Sequence, residues 1–420
     1  MKTGVWYKVG DGKITRHISL DGNGECTSML RLPPFIDLNQ PLDGVYDLAW
    51  LASPKMPVVT RPKGEIRAID LFCGCGGLTL GVREAARALG HSFRCVFASD
   101  INPNALEMHK INFHSDYSDL APIENHVNGE LGTPLTDVEQ TFLARVGIID
   151  IVVAGPPCQG NSNLNNHTRR DDPKNLLYLR AVRAIEIVRP DSFVIENVPG
   201  VLHERHGVLQ TAIRHLSQIG YSVSYGVIPM RKIGVAQMRK RMVLIGSRLT
   251  NINLEQIIEK ATVTERPLSW ACADLQDRYD VGDIFNSSAT HSLTNQQRIH
   301  YLFEHDLYEL PNEQRPDCHR LKPHNYPAVY GRMHWDDVAP TITGGFGSCG
   351  QGRFVHPLYE RTLTPHEAAR VQFFPDFFDF GGIKRRGLQL AIGNAVPAKA
   401  GYVVSLPLLQ ATVENRNGGE

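Results

Sequence analysis

A cysteine, a glycine-rich turn and an acid at the end of an apolar run are the residues of this chain best suited to chemistry. In "VVAGPPCQGNS" (152–162), Cys158 follows an apolar run and a double proline and precedes small polar residues. The eight cysteines (Cys26, Cys73, Cys75, Cys95, Cys158, Cys272, Cys318 and Cys349) are scattered over 420 residues, with no C-x-x-C pair. This is not the usage of a disulfide scaffold, and in a reducing compartment a thiol presented at a strand end is a candidate nucleophile. In "DLFCGCGGLTLG" (70–81), Gly74, Gly76 and Gly77 stand between a strand pattern and a helix pattern. Glycines there permit a tight turn and expose backbone amides at a helix start, which suits an anionic group. Asp100 closes the next strand about 25 residues on, where a ribose-binding acid belongs. Turn and acid together point to an adenosine-type cofactor.

The elements that must position these residues follow from periodicity. "IRAIDLF" (66–72), "FRCVFASD" (93–100), "IIDIVVAG" (148–155), "DSFVIEN" (191–197), "YSVSYGVI" (221–228) and "RMVLIGS" (241–247) read as strands. Helical patterns lie between them, and one opens at Asn102 as N-cap with Pro103 at the first helical position. Strands alternating with helices imply an α/β fold with a mostly parallel sheet, whose ligands bind beyond the strands' carboxyl ends. Four segments are expected: a β-rich N-terminal extension (1–60), a catalytic and cofactor-binding domain (61–250), an irregular module (251–354) and a C-terminal return to the catalytic domain (355–420). In the last, Thr364, Pro365 and Glu367 form the start of a capping-box helix.

With 42% apolar and 21% charged residues the composition is that of a globular protein, and the formal net charge of +0 argues weakly against attraction of nucleic acid by the charge of the whole protein and leaves room for a local basic face. A local basic stretch, "MRKIGVAQMRKRMVLIGSR" (230–248), carries no acid. No apolar run is long enough to span a membrane, and the N-terminus has no secretory h-region, so a cytoplasmic protein is expected. Cys318, His319, His324 and His334 lack metal-ligand spacing, and no metal is expected.

Six segments in order, "DLFCGCGGLTLG", "GPPCQGNS", "ENVPG" (196–200), "QMRKR" (237–241), "RTLTPHEAARVQFFP" (361–375) and "GNAVP" (393–397), resemble the successive motifs of the DNA (cytosine-5)-methyltransferases of prokaryotic type. The resemblance covers about residues 66–250 and 340–405. It implies a Rossmann-like domain dependent on S-adenosylmethionine, which releases S-adenosylhomocysteine, with 251–354 as a smaller target-recognition domain. Cys158 matches the family nucleophile, Glu196 the acid that holds cytosine N3 and its amine, and Arg239 and Arg241 the arginines beside the base. For the cofactor the resemblance points to Phe72, Gly74, Gly76, Gly77, Asp100, Ile101, Pro157 and Asn394, with Glu130 as the acid near adenine. Aspartate at 100 replaces the glutamate common in the family.

The segment 159–172 matches the loop that closes over a flipped base, so Gln159, Ser162, Arg169 and Arg170, together with Gln237, are expected at the DNA. Asn161 stands where the family commonly has an aromatic residue. The implied partner is double-stranded DNA, with a functional link to a restriction nuclease or a phage-defence system; a monomer is expected. Two other readings stay open. One is a transfer-RNA cytosine-5 methyltransferase, whose distinguishing Cys-Phe-Thr tripeptide is absent here. The other is a silent DNA-binding homologue, against which the intact Cys158, Glu196, Arg239 and Arg241 argue.

Overall fold

The structure is a computed structural model that describes residues 4–20, 24–157, 177–204, 207–321 and 328–417. The chain opens with a three-stranded antiparallel meander, β1 (Val5–Gly10), β2 (Lys13–Ser19) and β3 (Glu25–Arg31). Asp11 and Gly12, both at positive φ, make the tight β1–β2 turn that such hairpins require. Helix α1 (Leu42–Leu51) follows. The main body begins with β4 (Glu65–Leu71), α2 (Gly77–Ala88), β5 (Ser92–Ser99), α3 (Pro103–Phe113) and the short β6 (Tyr117–Asp119). It continues with α4 (Asp137–Val146), β7 (Ile151–Ala154), α5 (Leu177–Val188), β8 (Ser192–Asn197), α6 (Val208–Gln218), β9 (Ser222–Pro229) and β10 (Lys240–Ser247). Helices α7 (Leu254–Lys260), α8 (Leu268–Cys272), α9 (Leu293–Glu304), α10 (Asp317–Arg320), α11 (Pro365–Val371), α12 (Arg385–Asn394) and α13 (Ala398–Asn417) complete it.

Seven strands form one sheet in the order β6-β5-β4-β7-β8-β10-β9. Strands β6, β5, β4, β7 and β8 pair in parallel, as the alternation of strands and helices predicts. Strand β10 runs antiparallel to both of its neighbours, a reversal within an otherwise parallel sheet that periodicity does not encode. The chain winds outward from β4 in one direction and returns to continue from β7 in the other. The two diverging connections leave a crevice at the carboxyl ends, where α/β sheets bind ligands.

The sheet is covered on both faces. Leu78, Val82 and Ala85 of α2, Leu106 of α3 and Val404 and Leu408 of α13 fill one side. Phe142 of α4, Val182 and Ile185 of α5 and Leu209 and Leu216 of α6 fill the other. A third, smaller cluster gathers Ile299, Leu302, Leu310, Val329, Tyr330, Cys349 and Val355. Leu254 of α7 and Leu268, Ala271 and Cys272 of α8 pack into the main core, not into that small cluster. The capping box at Thr364 and Glu367 and the Asn102 cap with Pro103 at N1 form as expected.

Helices α2 and α13 approach until their backbones touch. A Cβ on Gly81 would collide with the Ala398 carbonyl and the Tyr402 amide, and one on Gly401 would sit 2.8 Å from the Leu78 carbonyl oxygen. Only glycine permits this spacing. The N-terminal meander packs against the far end of α2. Arg16 reaches Glu84 at 2.9 Å, Trp50 Nε1 donates to the same carboxylate at 3.1 Å, and Arg87 Nε donates to it at 2.7 Å.

Burial alone would raise the Glu84 pKa, but Arg87 and Arg16 outweigh it and bring it from 4.5 down to about 2. A depressed carboxylate contributes stability above its unfolded pKa and loses it as the pH falls towards its folded one. The stability gap between wild type and Glu84→Gln is therefore greatest above pH 4.5 and narrows as the pH drops towards 2. Urea midpoints measured at neutral and acid pH check this; a gap independent of pH would contradict it.

Candidate active site

The crevice is a cavity of about 410 Å³ walled by residues from five strand ends, three helix starts and α12. Its size is typical of a small-molecule site. Its floor is the turn after β4. Phe72 and Gly74 take positive φ (56° and 55°), an uncommon conformation for a phenylalanine and a sign of a backbone held for a purpose. A Cβ on Gly74 would meet nothing within 4 Å, so this residue faces the open cleft. Gly77 lies hard against the Val396 carbonyl oxygen, and the turn is thereby clasped to the residues that follow α12. Asp70 beneath the turn accepts a hydrogen bond from Thr79 on the first turn of α2 and lies 3.5 Å from His109 Nε2.

Asp100, at the end of β5, is oriented by backbone donors. The Gly74 amide donates to its Oδ2 at 2.8 Å and the Asn102 amide to its Oδ1 at 2.7 Å. Burial raises its pKa, and the amides oppose that rise. Phe72, Gly74, Gly77, Asp100, Ile101, Pro157, Glu196 and Asn394 all line this one cavity, as the sequence leads one to expect of a common site. Cys73 and Cys75 line it too, but burial pushes both thiols up, Cys75 to about 12, so neither supplies a thiolate at neutral pH.

Three expected residues lie elsewhere. Gly76 (φ 95°) is beneath the turn, against Phe113 and His109, and not in the cavity wall. Glu130 is away from the cavity, with its side chain 77% exposed and paired with Arg180 at 3.0 Å. The acid at the wall in this region is Glu124, in the turn Ile123–Asn125 that follows β6. Strand β6 has only three residues, too few to show a period, so no sequence signal marks what its end delivers. Asn104 and Leu390 are further wall residues with no signal of their own in the sequence, and Asn102, the cap of α3, stands in the wall as well.

Gln237, expected at the DNA, is fully buried. Its Nε2 donates to the Val371 carbonyl at 3.0 Å and to Gln372 Oε1 at 2.7 Å, and its Oε1 accepts from the Ile342 amide. A side chain with its amide so used is a structural rivet between the post-β9 turn, α11 and the segment before residue 343. Cys158, Gln159, Ser162, Arg169 and Arg170 lie outside the described residues.

At the other end of the cavity stands Glu196, the penultimate residue of β8. The antiparallel register pairs Glu196 with Val243, which puts Arg241, two residues along β10, on the same face. Arg241 Nε lies 2.7 Å from Glu196 Oε1. Burial raises the Glu196 pKa, with Arg241 and then Arg239 pulling against it. The reversal of β10 thus serves the site, because it brings an arginine from the start of one strand to the acid at the end of another. Arg239, 1% exposed, donates to the carbonyls of Ile342 at 2.9 Å and Gly393 at 3.2 Å. It ties the glycine-rich segment that begins at residue 341 to the turn that presents Asn394.

The arrangement offers a polarised, glycine-floored pocket for a nucleotide-like ligand, an acid held by an arginine next to it, and a segment after Pro157 that begins with Cys158. Residues 66–406 match the family model described as C-5 cytosine-specific DNA methylase. The chain is 50% identical to the Type II methyltransferase M1.BsuMI of Bacillus subtilis, over 96% of this chain and 95% of that protein. It is 30% identical to the Type II methylase M.HgiDII of Herpetosiphon aurantiacus, over 80% and 93% of the two chains. Among solved structures, the S. pombe Dnmt2 methyltransferase has the same fold, with a TM-score of 0.55 and 15% identity over 83% of this chain and 99% of that one. By the family match and these relatives, the chain belongs to the C-5 cytosine-specific DNA methylase family.

Proposed function

We propose that this protein transfers the methyl group of S-adenosylmethionine to C5 of a cytosine turned out of duplex DNA, with Cys158 as nucleophile, and that it acts as the modification enzyme of a restriction-modification system. The observation that carries the reading is the shared cavity. The glycine turn and Asp100 form one wall, and Glu196, with Arg241 beside it, stands in the same space next to Pro157. The Type II names of the relatives support the biological setting.

The cavity fits the cofactor chemically. Gly74 leaves room for close backbone approach, Asp100 offers a fixed carboxylate to a ribose, and Phe72, Leu390 and Val396 supply apolar contact. When bound there, the cofactor supplies an electrophilic methyl group on a sulfonium. The protein's own residues make the cytosine able to take it. The Cys158 thiol loses its proton, and the thiolate forms a bond to C6 of the base. The C5–C6 π electrons then become available at C5, which gains the new carbon–carbon bond. Loss of the C5 proton to a base and expulsion of the thiolate restore the ring.

Attack at C6 is favoured when N3 carries a proton, and Glu196 is the residue placed to share one. Its burial favours the neutral, proton-donating form. Arg241 takes over negative charge as that proton shifts, and can engage the carbonyl oxygen of the base. Arg239 keeps the walls in register through the Ile342 and Gly393 carbonyls.

Glu196→Gln is expected to lower kcat by about 10²-fold or more, while the affinity for S-adenosylhomocysteine in calorimetry stays within about threefold of wild type. An unchanged kcat would remove Glu196 from the mechanism. A duplex bearing 5-fluorocytosine cannot lose its C5 substituent as a proton, so the adduct should persist. A denaturation-stable protein–DNA complex is expected with wild type and absent with Cys158→Ser. A complex that survives that substitution would contradict the assignment of the nucleophile.

A further inference from the structure

The family match begins at residue 66, so the meander and α1 lie outside it. Yet a network of buried charges meets there. Asp47, on α1, accepts from Lys399 Nζ at 2.8 and 2.6 Å and from Arg266 at 2.7 Å. The three side chains are only 7%, 10% and 6% exposed. Arg266 also donates to the Gly234 carbonyl at 3.0 Å and to Asp43 at 2.9 Å, and its guanidinium lies over the Trp270 ring. Lys399 is enclosed by the rings of Phe373 and Tyr402.

Each of these cations leads to the cleft. Lys399 stands on the first turn of α13, five residues after Asn394 and three after Val396, both of which are wall residues. Gly234, held by Arg266, precedes Arg239 by five residues and turns the chain at a φ of 83°. The same N-terminal segment grips α2 through Arg16, Tyr46 and Trp50 at Glu84 and Arg87, and α2 opens at Gly77 in the cofactor turn. One carboxylate therefore connects α1 to the start of α13, just after the wall residues Asn394 and Val396, and through Arg266 to the turn that precedes Arg239. The space among these groups is about 10 Å³, room for a single water and no ligand, so this is a joint and not a second binding site.

We propose that residues 5–51 form a clamp on the cofactor cleft, and that Asp47 is its positioning residue: by holding Lys399 and Arg266 it sets the 394–397 turn against the glycine turn. The inference rests on the reading of this cleft as the S-adenosylmethionine site. Without the carboxylate, Lys399 loses the anion it binds and faces Arg266, whose remaining carboxylate partner is Asp43, and the cost falls on the segments that carry these cations. The start of α13 is the freer of the two, since Pro397 donates no backbone hydrogen bond. Asp47 remains ionised in this setting: burial would raise its pKa, but Lys399 and Arg266 bring it below the ordinary aspartate value.

The test is made on the full chain by calorimetry with S-adenosylhomocysteine and by steady-state methyl transfer to DNA. For Asp47→Asn, the Kd for S-adenosylhomocysteine and the KM for S-adenosylmethionine are expected to rise by about tenfold, with kcat and the KM for DNA within about twofold. Leu409→Ala, a fully buried change farther along α13, serves as the stability control and is expected to lower Tm without moving the cofactor KM. Should Asp47→Asn fail to fold, Asp43→Asn removes the outer acceptor of Arg266 and is expected to shift the same constant in the same direction by about twofold to threefold. Unchanged cofactor affinity in the folded variant would overturn the clamp, as would an equal loss in Leu409→Ala at matched Tm. If the wild-type protein does not bind S-adenosylhomocysteine, the cofactor reading falls first and the clamp with it.

Discussion

The contact on which the structure most depends is the one between α2 and α13, where Gly77, Gly81 and Gly401 let two backbones touch. Residues of the turn at 72–77 and of the segment 394–396 are more than three hundred positions apart in the chain, yet they form facing parts of one cavity wall. No hydrogen-bonded sheet joins them. Helix contact sets their spacing together with the Gly77–Val396 contact, and a methyl group at Gly81 or Gly401 would force the helices apart.

Around this contact the buried charges are arranged as supports. Glu84 on α2 and Lys399 on α13 each meet partners from the N-terminal segment, Arg16 and Asp47 respectively. On the other side of the sheet, Glu139 binds Arg183 at 2.7 Å and accepts from the Gly129 amide, which anchors the loop before α4 to α5. Such pairs contribute little net stability when compared with apolar packing, but removing one partner is costly. They therefore specify geometry more than they add stability. In this molecule the specified geometry is that of the cleft.

Much of the site was legible because its residues sit at punctuation marks. A glycine cluster after a strand, an acid closing a strand and a cysteine after Pro-Pro each mark a carboxyl end, and in a parallel sheet all carboxyl ends lie on one edge. That is why Phe72, Gly74, Asp100, Pro157 and Glu196 converge. The failures have physical reasons as well. Glu130 was chosen as an acid in an irregular segment, but a three-residue strand and a turn bring Glu124 to the wall instead. Gln237 sits among basic residues and suggests a DNA contact, yet its amide is consumed by Val371, Gln372 and Ile342, partners remote in sequence. The reversal of β10 and the role of Asp47 depend likewise on tertiary pairing, and no local period announces either.

The central claim is that this cleft delivers a methyl group to cytosine C5 in DNA. It is tested most directly by incubating the protein with S-adenosylmethionine labelled in the methyl group and, in parallel, duplex DNA or transfer RNA, and then identifying the labelled nucleoside. Label is expected in DNA as 5-methylcytosine, none in transfer RNA, and none in either with Cys158→Ser. Label confined to transfer RNA, or label in DNA on any atom other than cytosine C5, would contradict it.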